Sequence, residues 1–160
     1  MRHPGLLGRT QSAGNARLSL LLPTTPLPSP LPVSPVIHWH IVDEQSFPFM
    51  PPSLPELGAA GSYSPYERFT AEDVADVVEY ARARGVRIMI EIDTPGHAAA
   101  MCKAHPEICP SPTCTMPLNP ATNATFDVLS TLFKDITGGA RGKGLVPDNM
   151  MHLGGDEVCV

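Results

Sequence analysis

Apolar and polar residues follow two different rhythms along this chain, with unpatterned stretches between them. Residues 36–42, "VIHWHIV", are β-branched and aromatic and close on Asp43, the composition of a buried strand. From Thr70 the period lengthens: Val74, Val77, Val78 and Ala81 recur at i, i+3, i+4 and i+7, which predicts one apolar helical face. Thr70 and Asp73 resemble a capping box at its start. Arg82 and Arg84 put cations in the last turn, and Gly85 stops the helix. Residues 86–92, "VRIMIEI", form the second predicted strand, ending at Asp93.

A short helical stretch is expected within "HAAAMCKAH" at 97–105. A longer helix is expected over 122–136, with Phe126, Leu129, Leu132 and Phe133 on one face. "NMMHL" at 149–153 is the third predicted strand. Residues 43–69 are rich in proline and glycine and have no period, so they read as a long loop of the kind that carries function. Strand, loop, helix, strand, loop, helix, strand is a parallel α/β order. Each predicted strand runs into a polar cluster: "HIVDE", "EIDTPGH" and "HLGGDE". Chemistry in such folds gathers at the carboxyl ends of the strands, so all three clusters are expected on one rim.

Composition changes this picture at one end. Of the 19 prolines among 160 residues, many fall in "PTTPLPSPLPVSP" at 23–35, where fixed φ and missing donors exclude helix and central strand. Residues 1–35 are therefore expected to be a disordered proline-rich arm, and 36–160 a folded domain. A net charge of −5 with no basic run argues against nucleic acid as a partner. Nothing approaches the roughly 18 apolar residues of a membrane span, so no membrane partner is expected. "LSLLL" at 18–22 is too short for a signal-peptide core. Four cysteines and the acceptor sequence "NAT" at 123–125 favour an oxidising compartment.

The candidate chemistry sits in the three clusters. Asp156 and Glu157 would face opposite sides of a regular strand, but after two glycines both can turn toward one pocket. Paired carboxylates push their pKa values apart, so that one stays ionised while its neighbour holds a proton, the division of labour a glycosidase needs. A solvated acidic loop is the plain alternative. "DTPGH" sets Asp93 and His97 on one tight turn, where the imidazole can tune a carboxylate. "HWH" supports a different class: alternation puts His38 and His40 on one strand face, as in metal-dependent barrel hydrolases, with His97, His152 and Asp156 as further ligand candidates.

"HWHIVDEQSFPF", the run from "LPEL" through "GSYSPYERFTAEDVADVVEYARARGVRIMIEIDTPGH", "PLNPATNATFDVLSTLFKDI" and "HLGGDEV" resemble, in this order and spacing, the β-N-acetylhexosaminidases of glycoside hydrolase family 20. The similarity covers residues 36–158. It implies an α/β fold, a (β/α)8 TIM barrel of which this chain holds about three of eight strands. It also implies hydrolysis of terminal N-acetylglucosamine or N-acetylgalactosamine from glycans, with retention and without an enzyme nucleophile, because the substrate's own acetamido oxygen attacks. By matching "GGDE", Glu157 would be the general acid/base and Asp156 the anion that holds the acetamido group. Asp43 and His97 match supporting positions, and Asp93 an acid behind them. No cofactor and no metal are implied.

The family usually reads "HIVDD" where this chain has Glu44 in the second place. The resemblance places a first strand upstream, ending in a sugar-binding arginine, and later strands with pocket tryptophans downstream. Here Trp39 is the single tryptophan. The expectation is a fragment or incomplete gene model, inactive alone, whose parent follows the secretory route to a lysosomal, vacuolar or extracellular location. A non-catalytic glycan-binding remnant is the further alternative, and homodimer formation by the parent is left open. The family's disulfide joins a cysteine after the acid pair to one before "PLNP", which would be Cys159 with Cys109 or Cys114.

Overall fold

The computed structural model describes residues 35–139, 144–148, 150–156 and 158. The expected arm lies outside the described residues except for Pro35, and so do Glu157 and Cys159. Strand β1 (Val36–His40) pairs in parallel with β2 (Arg87–Glu91), in a register that sets His38 beside Met89 and His40 beside Glu91. Parallel neighbours need a long crossover. Here it contains helix α1 (Pro55–Gly61) and helix α2 (Ala71–Arg82), and helix α3 (Asn123–Thr137) follows β2.

The predicted third strand is reduced to a single parallel bridge between Glu91 and His152. Its ladder is nevertheless continuous with β2: His152 N–H donates to Ile90 O at 3.0 Å, and Ile92 N–H and Thr94 N–H donate to His152 O and Leu153 O, each at 3.2 Å. Arg87 pairs with Asp148 at 2.9 Å and anchors the start of this segment beside the foot of β2.

Alternation gives the sheet two unlike faces. Ile88, Ile90 and Ile92 are buried, and Ile37 and Trp39 pack against the same core. The other face carries Val36, His38 and His40, all exposed. The expectation that 36–42 is buried throughout is thereby corrected: only Ile41 and Val42, beyond the strand, are buried, because no described element covers the histidine face.

α2 follows its sequence pattern. Thr70 accepts from Asp73 N–H at 3.1 Å while Asp73 accepts from Thr70 N–H at 2.8 Å, a complete capping box. Val74, Val78 and Ala81 are buried, and Val77 flanks them.

Two expectations change. Residues 43–69 are more than a loop: Pro55 opens α1, and Phe47, Phe49 and Leu57 are each at most 1% exposed. Burying each such side chain contributes about 1.5–3 kcal/mol, so this segment is a structural layer. In α3 the buried stripe is Thr125, Val128, Leu132 and Ile136, while Phe126 is 58% exposed. Thr125 lies on the same face as the buried Val128, Leu132 and Ile136, and its hydroxyl donates to Asn119 O at 2.6 Å. Ser53 then clamps the crossover to α3 through Asp135, at 2.8 Å from its N–H and 2.7 Å from its hydroxyl. The expected helical stretch after "DTPGH" is a 3-10 turn, Ala99–Lys103.

Cys102 and Cys109 are disulfide-bonded, with Cα atoms 6.0 Å apart, and Cys114 is free and exposed. Cys109 is thus withdrawn as a partner for Cys159. The short separation of seven residues lets the local 3-10 turns bring the two thiols together. Among the described residues no helix is long and apolar enough to cross a membrane.

Candidate active site

The carboxyl ends of β1, β2 and the bridged segment at 152 lie side by side, and their polar clusters meet there. Asp43, three residues beyond β1, receives His97 Nδ1 on Oδ1 at 2.9 Å. His97 turns inward from the left-handed region, at φ 49, a conformation few non-glycine residues adopt and one that collects at functional sites. The neighbouring turn contains the cis Thr94–Pro95 bond.

Asp93, 3% exposed, accepts Gly155 N–H on Oδ1 at 2.8 Å and shares a side-chain hydrogen bond with Asp156. The two glycines of "HLGGDE" make this approach possible. Gly154 sits at φ +66, and a β-carbon there would lie 1.9 Å from Asp93 Oδ1, well inside any real contact. Gly155, at φ +103, completes the turn that carries Asp156 back over Asp93. Asp93, His97 and Asp156 offer donor atoms that all lie within 4.8 Å of one another. Of the five residues singled out for the site, Asp43, Asp93, His97 and Asp156 therefore converge. Glu157 lies outside the described residues.

The electrostatics follow from these contacts. Burial lifts Asp93 above its ordinary value; Gly155 N–H opposes this, and the hydrogen bond and charge of Asp156 add to it. For Asp43 burial also pushes upward, but the Glu44 N–H at 2.7 Å and the His97 imidazole outweigh it and hold the acid below its ordinary value. His97 is raised, first by its hydrogen bond to Asp43 and further by the charges of Asp43, Asp93 and Asp156. The arrangement thus sets an imidazole raised by its acid neighbours beside Asp43, and a buried acid raised in part by the neighbouring Asp156.

Sequence reasoning missed Glu91. It is 4% exposed, and three imidazoles surround it: His38 Nε2 contacts Oε2, His152 Nδ1 lies 2.8 Å from Oε1, and His40 Nδ1 lies 3.3 Å from Oε2. The signal was present, since Glu91 and Asp93 stand two apart on one face and both histidines of "HWH" point to that same face. The pair His38 and His40 is thus brought together, on a carboxylate. The set His38, Glu91 and His152 offers ligand atoms with metal-compatible spacing, as do the three residues around Asp93.

Acids and imidazoles gathered at the carboxyl edge of parallel strands mark the class, an α/β domain with its polar site at the strand ends. The comparisons carry this further. The pattern described as "Glycosyl hydrolase family 20, catalytic domain" matches residues 35–160, and the chain belongs to that family. It is 45% identical over 123 residues to beta-hexosaminidase 1 of Arabidopsis thaliana, covering 77% of this chain and 21% of the relative. It is 44% identical over 130 residues to the human beta-hexosaminidase subunit beta, covering 77% and 22%. Among solved structures, a chitobiase from Flavobacterium johnsoniae superposes with a TM-score of 0.66 at 33% identity, over 77% of this chain and 19% of that one. The Vibrio harveyi exo-β-N-acetylglucosaminidase in complex with N-acetylglucosamine gives 0.66 at 25% identity, over 78% and 23%. The chain spans about a fifth of the length of the curated relatives it matches.

Proposed function

We propose that residues 36–158 supply the catalytic acids of a β-N-acetylhexosaminidase that removes terminal N-acetylglucosamine or N-acetylgalactosamine from glycans. The observation that carries this reading is the seat of Asp156, held against buried Asp93 by the Gly154–Gly155 turn and beside the His97–Asp43 pair. Asp93, raised by burial and in part by Asp156, shares a side-chain hydrogen bond with it and fixes it in place. An anion fixed in this way suits a group that becomes positive during reaction.

In the proposed mechanism that group is the substrate's acetamido nitrogen. As its carbonyl oxygen attacks the anomeric carbon, the glycosidic bond breaks and Glu157 protonates the leaving oxygen. Asp156 accepts the amide N–H and stabilises the oxazolinium-like intermediate. Glu157, now ionised, takes a proton from water as it opens the ring with net retention. His97, held by Asp43, sets an imidazole beside Asp93 and Asp156. The barrel that would complete the pocket, and a secretory-route location, belong to the same proposal. The Cys102–Cys109 bridge and the exposed Asn123 of "NAT" support that location.

The test is hydrolysis of an aryl N-acetyl-β-glucosaminide by the full-length gene product and its Asp156→Asn variant. Losing the anion is expected to lower kcat about 10²–10³-fold. Turnover near wild type in Asp156→Asn would overturn the reading. Binding of N-acetylglucosamine-thiazoline without hydrolysis would replace it with a glycan-binding remnant.

A further inference from the structure

The proposed reaction leaves Glu91 and its imidazoles unused. This carboxylate is buried, with a side chain 5% exposed, and among the described residues its ion-pair partners are imidazoles alone. They come from separate segments. His38 and His40 lie on β1, Glu91 ends β2, and His152 forms the bridge that extends the sheet. The His38 and His152 rings are 4.7 Å apart between centroids and half-exposed, so one side of the cluster is open to solvent.

The placement of the donor atoms is what makes the cluster informative. His152 Nδ1 lies 2.8 Å from Glu91 Oε1 and 3.1 Å from Gly154 N. Across the carboxylate, His38 Nε2 meets Oε2 in a very close contact. Two imidazole nitrogens and a carboxylate oxygen are the donor set that borderline divalent ions prefer.

We propose that His38, Glu91 and His152 form a divalent-cation site of the zinc class. Their donor atoms lie within 4.8 Å of one another. Donors around a tetrahedral ion at bond lengths of about 2.0–2.2 Å stand roughly 3.3 Å apart, so the His152–Glu91 contact would open by about half an ångström and the closer His38–Glu91 contact by more. Two half-exposed rings can move that far, and the open side admits a water as fourth ligand. His40, with Nδ1 3.3 Å from Oε2 and Nε2 3.8 Å from Asp43, steadies the carboxylate from the side. A bound ion would tie β1, β2 and the segment at 152 together behind the acid pair, replacing shared protons with coordinate bonds. This site does not depend on the hydrolase reading, and its test reads no activity.

The chain is stripped with a chelator and titrated with Zn²⁺ by calorimetry, alongside its thermal midpoint. One ion per chain is expected, with a raised midpoint. His38→Ala and His152→Ala should each weaken binding at least about tenfold. His105→Ala, which touches Glu56 and Glu107 elsewhere, should leave binding unchanged. X-ray absorption on the wild-type complex provides a readout that needs no variant: a shell of imidazole nitrogens and oxygen is expected. A sulfur shell, an all-oxygen shell, or wild-type binding no tighter than that of a folded His38→Ala/His152→Ala double variant would overturn the site.

Discussion

Glu91 and Asp93 stand two residues apart, on one face of β2 and its extension, and both are almost fully buried, at 4% and 3% exposure. Their surroundings are opposite in kind. Among the described residues Glu91 meets three imidazoles and no second acid. Asp93 meets a second acid, Asp156, and a backbone N–H from the glycine turn. Burial alone would treat the two carboxylates alike. The neighbours make one a carboxylate ringed by imidazoles, and the other an acid facing a second acid at the rim. Shifting two residues along a strand is enough to separate those roles.

The contrast breaks most sharply on charge removal. Glu91→Gln replaces hydrogen bonds from imidazoles to a buried carboxylate with bonds to a neutral amide, and the expected loss is about 2–3 kcal/mol, read from urea unfolding. Next comes Gly154→Ala, which places a methyl group on Asp93 and holds a non-glycine residue at positive φ; it should cost about 1–3 kcal/mol in the same assay. Asp93→Asn is milder. Its side-chain carbonyl still accepts Gly155 N–H and its amide donates to Asp156, so about 1 kcal/mol is expected. An Asp93→Asn loss equal to that of Glu91→Gln would erase the distinction.

The smallest effect is a pH dependence at His97 and Asp43. His97 is raised above 6.5, so its contribution is full below that value and is lost as pH rises through the higher folded-state pKa. Asp43 is lowered below 3.8, so its contribution is present above that value and is lost as pH falls through the lower one. The stability gap between wild type and Asp43→Asn should therefore be widest between 3.8 and 6.5, and should narrow toward alkaline pH. Thermal midpoints measured across pH check this. A gap that widens above neutrality would contradict the ion pair.

Much of the fold was legible because it rests on local rules. The Thr70–Asp73 cap, the Val74–Val78–Ala81 stripe and the helix after Thr122 all follow from spacing along one segment. The convergence of Asp43, Asp93, His97 and Asp156 was legible because parallel strands bring their carboxyl ends to one rim. What escaped depends on contacts between segments. The α1 helix has no periodic face of its own and is fixed by Phe47, Phe49 and the core around Leu57. The inward seat of Thr125 depends on its hydroxyl finding Asn119 O, in the loop before the helix. The Cys102–Cys109 bridge is a matter of local turn geometry, invisible to a count of four cysteines. Glu91 was hidden in an apolar strand, and its importance appears only when β1 and the bridge at 152 deliver three rings to it.

The central claim is that one acid at this rim moves a proton while the anion beside it holds the substrate's acetamido group. It is tested most directly by single-turnover hydrolysis of an aryl N-acetyl-β-glucosaminide by the full-length gene product carrying Glu157→Gln. The account predicts a rate lowered about 10²–10⁴-fold, with inhibitor binding retained. A folded Glu157→Gln protein that cleaves at the wild-type rate would contradict it.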